Sequence, residues 1–174
     1  MATARFEYNQ RRLQEMKMRP AADCLYQSVF GPDIDIKRFD NADESVLDIN
    51  FAIDVQISFP NGQLLTGQEK FLSPEFAGFQ SITVEYYQNA AEEGDWFKLA
   101  SQFYMTGYAT DDWLSFDPWI IVYWPVVVQK TQQGSIKWLD NKNLNGRARA
   151  SFRYTYMVDL VSNNPDCVIA SSFD

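Results

Sequence analysis

At 174 residues, with 46% hydrophobic and 16% aromatic side chains, the chain is long enough to bury a real core and too apolar to be disordered. It contains no histidine, which excludes Ser-His and Cys-His nucleophile pairs, His-ligated zinc and any histidine general base. Its net charge of −8 runs against a simple nucleic-acid binder, and Cys24 and Cys167 offer neither a disulfide framework nor metal-ligand spacing.

In chain order, residues 4–18 read as a charged helix with Phe6, Leu13 and Met16 as a modest apolar side. Pro20 suits the first turn of a second helix over 21–30, ended by Gly31-Pro32, with Cys24, Leu25, Ser28 and Val29 as its buried stripe. Residues 33–39 alternate as a short strand, and 41–45 form a polar loop. From 47 to 59 every odd position is apolar (Leu47, Ile49, Phe51, Ile53, Val55, Ile57, Phe59), which predicts a half-buried strand with Asp48 and Asp54 on its polar face.

The turn that follows, Pro60-Asn61-Gly62, sets the register of a hairpin. A two-residue loop would oppose apolar to polar side chains along the ladder. A three-residue loop, with Gly62 in the left-handed position, pairs Phe59 with Gln63, Ile57 with Leu65, Val55 with Gly67 and Phe51 with Phe71. Asp54 then opposes Gln68, and Lys70 lies on the same face, so the three form one cluster. Asp48 is expected roughly 20 Å from Asp54 along an extended strand, as a strand-entry residue.

Beyond the hairpin, residues 73–75 predict a single helical turn, 81–88 a strand and 89–94 an acidic loop. Asp95 would cap a helix through about residue 105. Residues 119–128 read as a well-covered strand bent or ended at Pro125, and 147–160 as a final strand. The resulting class is α/β, a mixed central sheet flanked by helices. The chain reads as one domain: a helical arm over 1–20, a core over 21–128 and a C-terminal extension over 129–174. No apolar run approaches a membrane span and residues 1–12 lack a signal-peptide apolar region, so the expectation is a cytoplasmic protein without a membrane partner.

Ile53-Asp54, thirteen residues, then Gln68-Glu69-Lys70, on a hairpin that follows a helix and a short strand, resembles the PD-(D/E)xK nuclease superfamily in its Gln-x-Lys variant. The segment GDWFKLASQFYMTGY also resembles the stretch after the motif in small phage-type members similar to Holliday-junction resolvases. The resemblance covers about residues 21–128. It implies a restriction-endonuclease-like core of order α-β-β-β-α-β, with Mg²⁺ (or Mn²⁺) as cofactor and DNA as partner. It also implies endonucleolytic hydrolysis of branched or structured DNA, in a host cytoplasm if phage-encoded, and admits a homodimer, since many relatives cut as dimers. Asp54 would be the main metal-binding carboxylate, with Gln68 and the backbone carbonyl of Glu69 as further ligands. Lys70 would orient or deprotonate the attacking water, and Asp23 matches the acid that the family often adds from its first helix. With Gln68 in place of an acid, the site holds one negative charge fewer than the common pattern. Two other readings are a catalytically inactive nuclease-fold binding or assembly protein and an acidic DNA-mimic inhibitor. The positions of Arg11, Arg12, Lys37, Arg38, Arg147, Arg149 and Arg153 separate these from a nuclease, which needs a positive groove.

Overall fold

The computed structural model describes residues 2–39, 45–87, 92–142 and 151–173. Most of the loop expected over 41–45, residues 89–91 of the acidic loop, and Arg147 and Arg149 lie outside them. The elements run α1 (Ala2–Phe30), β1 (Asp35–Arg38), α2 (Ser45–Phe51), β2 (Val55–Ser58), β3 (Leu64–Leu72), a 3-10 segment (Pro74–Phe79), β4 (Ser81–Tyr87), α3 (Asp95–Lys98), β5 (Phe103–Ala109), β6 (Phe116–Tyr123), α4 (Trp124–Gln132), β7 (Leu139–Lys142), β8 (Ser151–Tyr156), α5 (Met157–Asn163) and β9 (Val168–Ser171). Six strands form a mixed sheet in the order β1-β2-β3-β5-β6-β9, and β4-β8-β7 form a smaller antiparallel sheet. Only β3 and β5 pair in parallel; the other described pairs are antiparallel.

The large sheet is covered on both faces. Met18, Ala22 and Tyr26 of α1, spaced i, i+4, i+8, pack on Val55, Ile57, Phe103, Met105 and Ile121. This one stripe carries α1 straight through Pro20, where two helices were expected. Its continuous burial outweighs the hydrogen bond that proline cannot donate. The expected stripes hold only in part: Leu25 and Val29 pack against this cluster, but Leu13, Met16, Cys24 and Ser28 are exposed. On the opposite face Tyr104, Tyr108, Ile120 and Val122 meet Ile82 and Val84 of β4, and α4 and α5 close the layer with Trp124, Val127 and Leu160. Two tyrosines tie the sheets together, Tyr104 Oη donating to Thr83 O and Tyr108 Oη to Ser81 O, both at 2.9 Å.

The hairpin register is as expected, with Val55 across from Gly67 and Ile57 from Leu65, and the Phe59 N–H donating to Gln63 O at 2.9 Å. Gly62 takes a φ of +84°, as the three-residue loop requires. The strand, however, covers only Val55–Ser58, and the first half of the alternating run is the helix α2. Val46, Ile49 and Phe51 are all exposed, so apolar alternation here does not report burial. The helix ends in a left-handed cap at Ala52 (φ +48°), whose N–H donates to Asp48 O at 3.0 Å. The Phe51–Phe71 pairing therefore does not form.

Three further expectations change. Residues 103–105 belong to β5 rather than to a helix, which is confined to α3. All seven residues of β5 are buried, and a strand covered on both faces has no polar side to reveal its period. Pro125 starts α4 instead of bending a strand, and residues 157–160 form the first turns of α5. No helix among the described residues is long and apolar enough to cross a membrane.

Gly67 lies at the crossing of these layers, because a Cβ there would overlap the ring of Phe103, itself packed edge-on against Tyr26 at 5.6 Å. Gly67→Ala is expected to cost about 1–3 kcal/mol through overpacking, read as a lower urea midpoint with an unchanged slope.

Candidate active site

Because β2 begins at Val55 while β3 continues to Leu72, the edge of β3 on the β2 side has no strand partner past Gly67 among the described residues. Asp54 stands at that junction. Its N–H donates to Gly67 O at 2.9 Å, and its Oδ2 accepts the Glu69 N–H at 2.8 Å, replacing the next rung of the ladder. Successive strand residues send their backbone groups to alternate sides, so the Glu69 carbonyl leaves β3 on this same open side.

The turn of α2 brings a second carboxyl to the junction. Asp48 is a hydrogen-bonding neighbour of Asp54, not a distant strand-entry residue. A helix advances 1.5 Å per residue and folds back through its cap, whereas the extended chain would have separated the pair. Burial pushes the Asp54 carboxyl well above the ordinary aspartate range. The Glu69 amide opposes that rise, while the carboxyls of Asp48 and Glu69 add to it. Glu15 of α1 belongs to the same neighbourhood. Crowding by protein raises its carboxyl, Lys70 and Arg19 counter the rise, and Asp48 and Glu69 reinforce it.

Parallel pairing with β5 aligns Gln68 with Tyr104 and Lys70 with Thr106, so Gln68 and Lys70 share the face turned toward the small sheet, as expected. Gln68 is buried, and its Oε1 has no hydrogen-bond partner. Buried amide oxygens are ordinarily satisfied, so this one is an unused acceptor one register step from Asp54. Lys70 reaches a cleft of about 560 Å³ whose rim also carries Glu15.

Glu69 points the other way, under α1. Its carboxylate accepts from Arg38 Nε and Nη2, both at 2.9 Å, and from Tyr26 Oη at 3.0 Å. Arg38 also pairs with Asp23 at 2.7 Å. Burial disfavours the guanidinium charge, but Glu69 and Asp23 together hold it above its ordinary range. Asp23 is thus bound to Arg38 on the α1 face, and the acid that α1 sends toward Lys70 is Glu15, two turns earlier. The i, i+4, i+8 stripe was the signal available in the sequence: with Met18, Ala22 and Tyr26 facing the sheet, Glu15 falls one turn before Met18 on that side.

The cations named for a groove are partly committed elsewhere. Arg38 belongs to the network just described. Arg153 pairs with Asp140 at 3.1 Å and lies 4.1 Å and 4.9 Å from the ring centres of Tyr86 and Trp96. Lys37 lies 5.3 Å from the Phe39 ring centre.

Among the described residues no group of three or more His, Cys, Asp or Glu side chains stands close enough to hold a cation by itself. The oxygen donors at this junction are two carboxyls, Asp48 and Asp54, and the outward Glu69 carbonyl, with Gln68 as the neighbouring residue along β3. All are hard oxygens, and two crowded carboxyls gain most from a divalent cation such as Mg²⁺ or Mn²⁺.

The raised Asp54 carboxyl has a consequence for stability. A carboxyl whose pKa is higher folded than unfolded stabilises the fold below its unfolded pKa and loses that contribution as pH rises through the folded value. At neutral pH an ionised Asp54 therefore weighs against the fold, and Asp54→Asn keeps the acceptor for the Glu69 amide without the charge. In chelator, Asp54→Asn should be more stable than the parent at pH 7 by about 0.5–2 kcal/mol, with the gap closing as the pH is lowered. Equal or lower stability in thermal melts at pH 7 would overturn this account of Asp54. No protein-family model, curated protein or solved structure matches this chain.

Proposed function

We propose that the chain is a divalent-metal-dependent endonuclease that hydrolyses DNA phosphodiester bonds on a restriction-endonuclease-like core of the Gln-x-Lys kind. The observation that carries this is the meeting of Asp48 and Asp54 at the open edge of β3, with Lys70 on the adjoining strand face. The order α1-β1-α2-β2-β3 followed by a crossover to β5, parallel to β3, supports the core, although α2 is inserted before β2 and the crossover holds a 3-10 segment, β4 and one turn of helix rather than a full helix.

Asp54 is the main metal-binding carboxylate in this reading. Asp48 takes the place of the acid that Gln68 lacks, so a sequence with one acid too few in its motif recovers the charge from α2. Gln68 Oε1 and the Glu69 carbonyl are the neutral oxygens of the set. Glu15, rather than Asp23, is the acid contributed by the first helix. When bound, a hard cation neutralises the phosphate and lowers the pKa of a coordinated water. Lys70 orients the attacking water and offsets negative charge gathering on the phosphate oxygens. Asp23 acts through Arg38, which anchors Glu69 and so the amide that holds Asp54.

Two measurements test this. Nicking of plasmid or junction DNA with Mg²⁺ or Mn²⁺ should fall about 100-fold or more in Asp54→Asn and Lys70→Ala, and cleavage unchanged in both would end the nuclease reading. In calorimetry with Mn²⁺, Asp54→Asn should abolish binding and Asp48→Asn weaken it about tenfold or more, while Asp23→Asn, which acts only through Arg38 and Glu69, should weaken it less than Asp48→Asn does. A protein that binds metal at Asp54 yet cuts nothing would instead be an inactive nuclease-fold binding protein.

A further inference from the structure

The cleft that Lys70 and Glu15 border is walled mainly by aromatic rings. On one side stands the outward face of the small sheet, where Phe152, Tyr154 and Tyr156 recur every second residue along β8, beside Ser81 and Thr83 of β4. On the other are Phe76 and Phe79 of the 3-10 segment that follows β3, with ring centres 6.3 Å apart. Phe79 is 64% exposed, Phe76 44% and Tyr156 42%. None of the five is among the buried residues of either core cluster, so their rings are not needed to fill the interior.

We propose that this cleft binds the unpaired bases of a DNA strand by stacking, which makes the substrate of the proposed nuclease DNA with a single-stranded segment, such as a flap, a tail or an opened branch. The assignment of nucleic acid as the occupant rests on the nuclease reading; the preference for unpaired bases rests on the cleft. Its volume of about 560 Å³ lies within the range of ligand clefts. Among the described residues that line it, Lys70 is the only cation and Glu15 the only acid, whereas eight are aromatic. A duplex offers phosphates outward and keeps its base faces covered, whereas an unpaired strand offers π-faces that aromatic rings accept regardless of sequence. Continuity with Lys70 means that a strand whose bases lie among Phe79, Tyr154 and Tyr156 passes its backbone toward the open edge of β3. The net charge of −8 is tolerable for such a ligand, because stacking rather than counterion release holds it.

The test uses the full-length Asp54→Asn protein in chelator, so that nothing is cut, with a labelled short oligothymidine and a blunt duplex of equal length. Anisotropy should show the oligothymidine bound at least about tenfold more tightly than the duplex. Phe79→Ala and Tyr156→Ala should each weaken oligothymidine binding about tenfold and leave the duplex unaffected. If either alanine variant melts early, Phe79→Leu and Tyr156→Leu keep the apolar bulk without the ring and should show the same loss. Equal affinity for the two ligands, or variants that bind as the parent does, overturns the proposal. Tighter binding of oligouridine than oligothymidine overturns the choice of DNA. Ring-dependent binding of oligothymidine without Asp54-dependent cleavage keeps the cleft and removes the nuclease. Asp54-dependent cleavage of blunt duplex that the ring variants do not alter removes the cleft proposal and keeps the nuclease.

Discussion

The hydrogen bond from the Glu69 amide to the Asp54 carboxylate is the contact on which the candidate site depends. It forms where β2 ends and a side chain replaces the strand that would have continued along β3. Had residues 47–53 stayed extended, they would have covered β3 through Phe71 and satisfied its edge with backbone groups. Instead α2 lifts away and caps at Ala52, returning Asp48 to the junction while leaving the edge open. A bare strand edge is usually a hazard that proteins cover or charge. Here it is short and surrounded by Asp48, Asp54 and Glu15.

Glu69 links this edge to the other side of the sheet. Its side chain is fixed beneath α1 by Arg38 and Tyr26, and its amide is fixed on Asp54. A buried Arg–Glu pair is weak evidence for net stability, since desolvation offsets much of the Coulomb attraction. What it supplies is position. Arg38 joins β1, α1 and β3 through Asp23 and Glu69, so the residue that supports Asp54 has little freedom to move. One sheet therefore separates a compensated charge network from an under-compensated one. The Arg38 cluster is neutralised from within the chain, while Asp48 and Asp54 crowd each other and call for a cation.

Several parts of this were legible in the residues. The three-residue turn, the Val55–Gly67 register and the shared face of Gln68 and Lys70 follow from apolar matching across a hairpin and from Gly62 at a positive φ. The reading of 47–53 as strand failed because Leu47, Ile49 and Phe51 satisfy an alternation that burial does not use. The reading of 95–105 as helix failed because β5 is covered on both faces and shows no period. Asp23 was expected as the acid of the first helix, but Arg38 holds it, and the acid of α1 that neighbours Lys70 is Glu15.

Local chemistry in the sequence thus determined the hairpin, its register and the absence of any histidine-based mechanism, since each depends on residues close in the chain or on composition alone. The tertiary structure decided which carboxyls meet. Asp48 joins Asp54 through a helix cap that pattern did not reveal, Glu15 arrives from a helix fixed by its packing on the sheet, and Asp23 is held by Arg38. These are contacts between elements, set by how layers pack and which strand edges remain uncovered; the helical period puts Glu15 on the sheet side of α1, but no period along the chain encodes which groups it meets there.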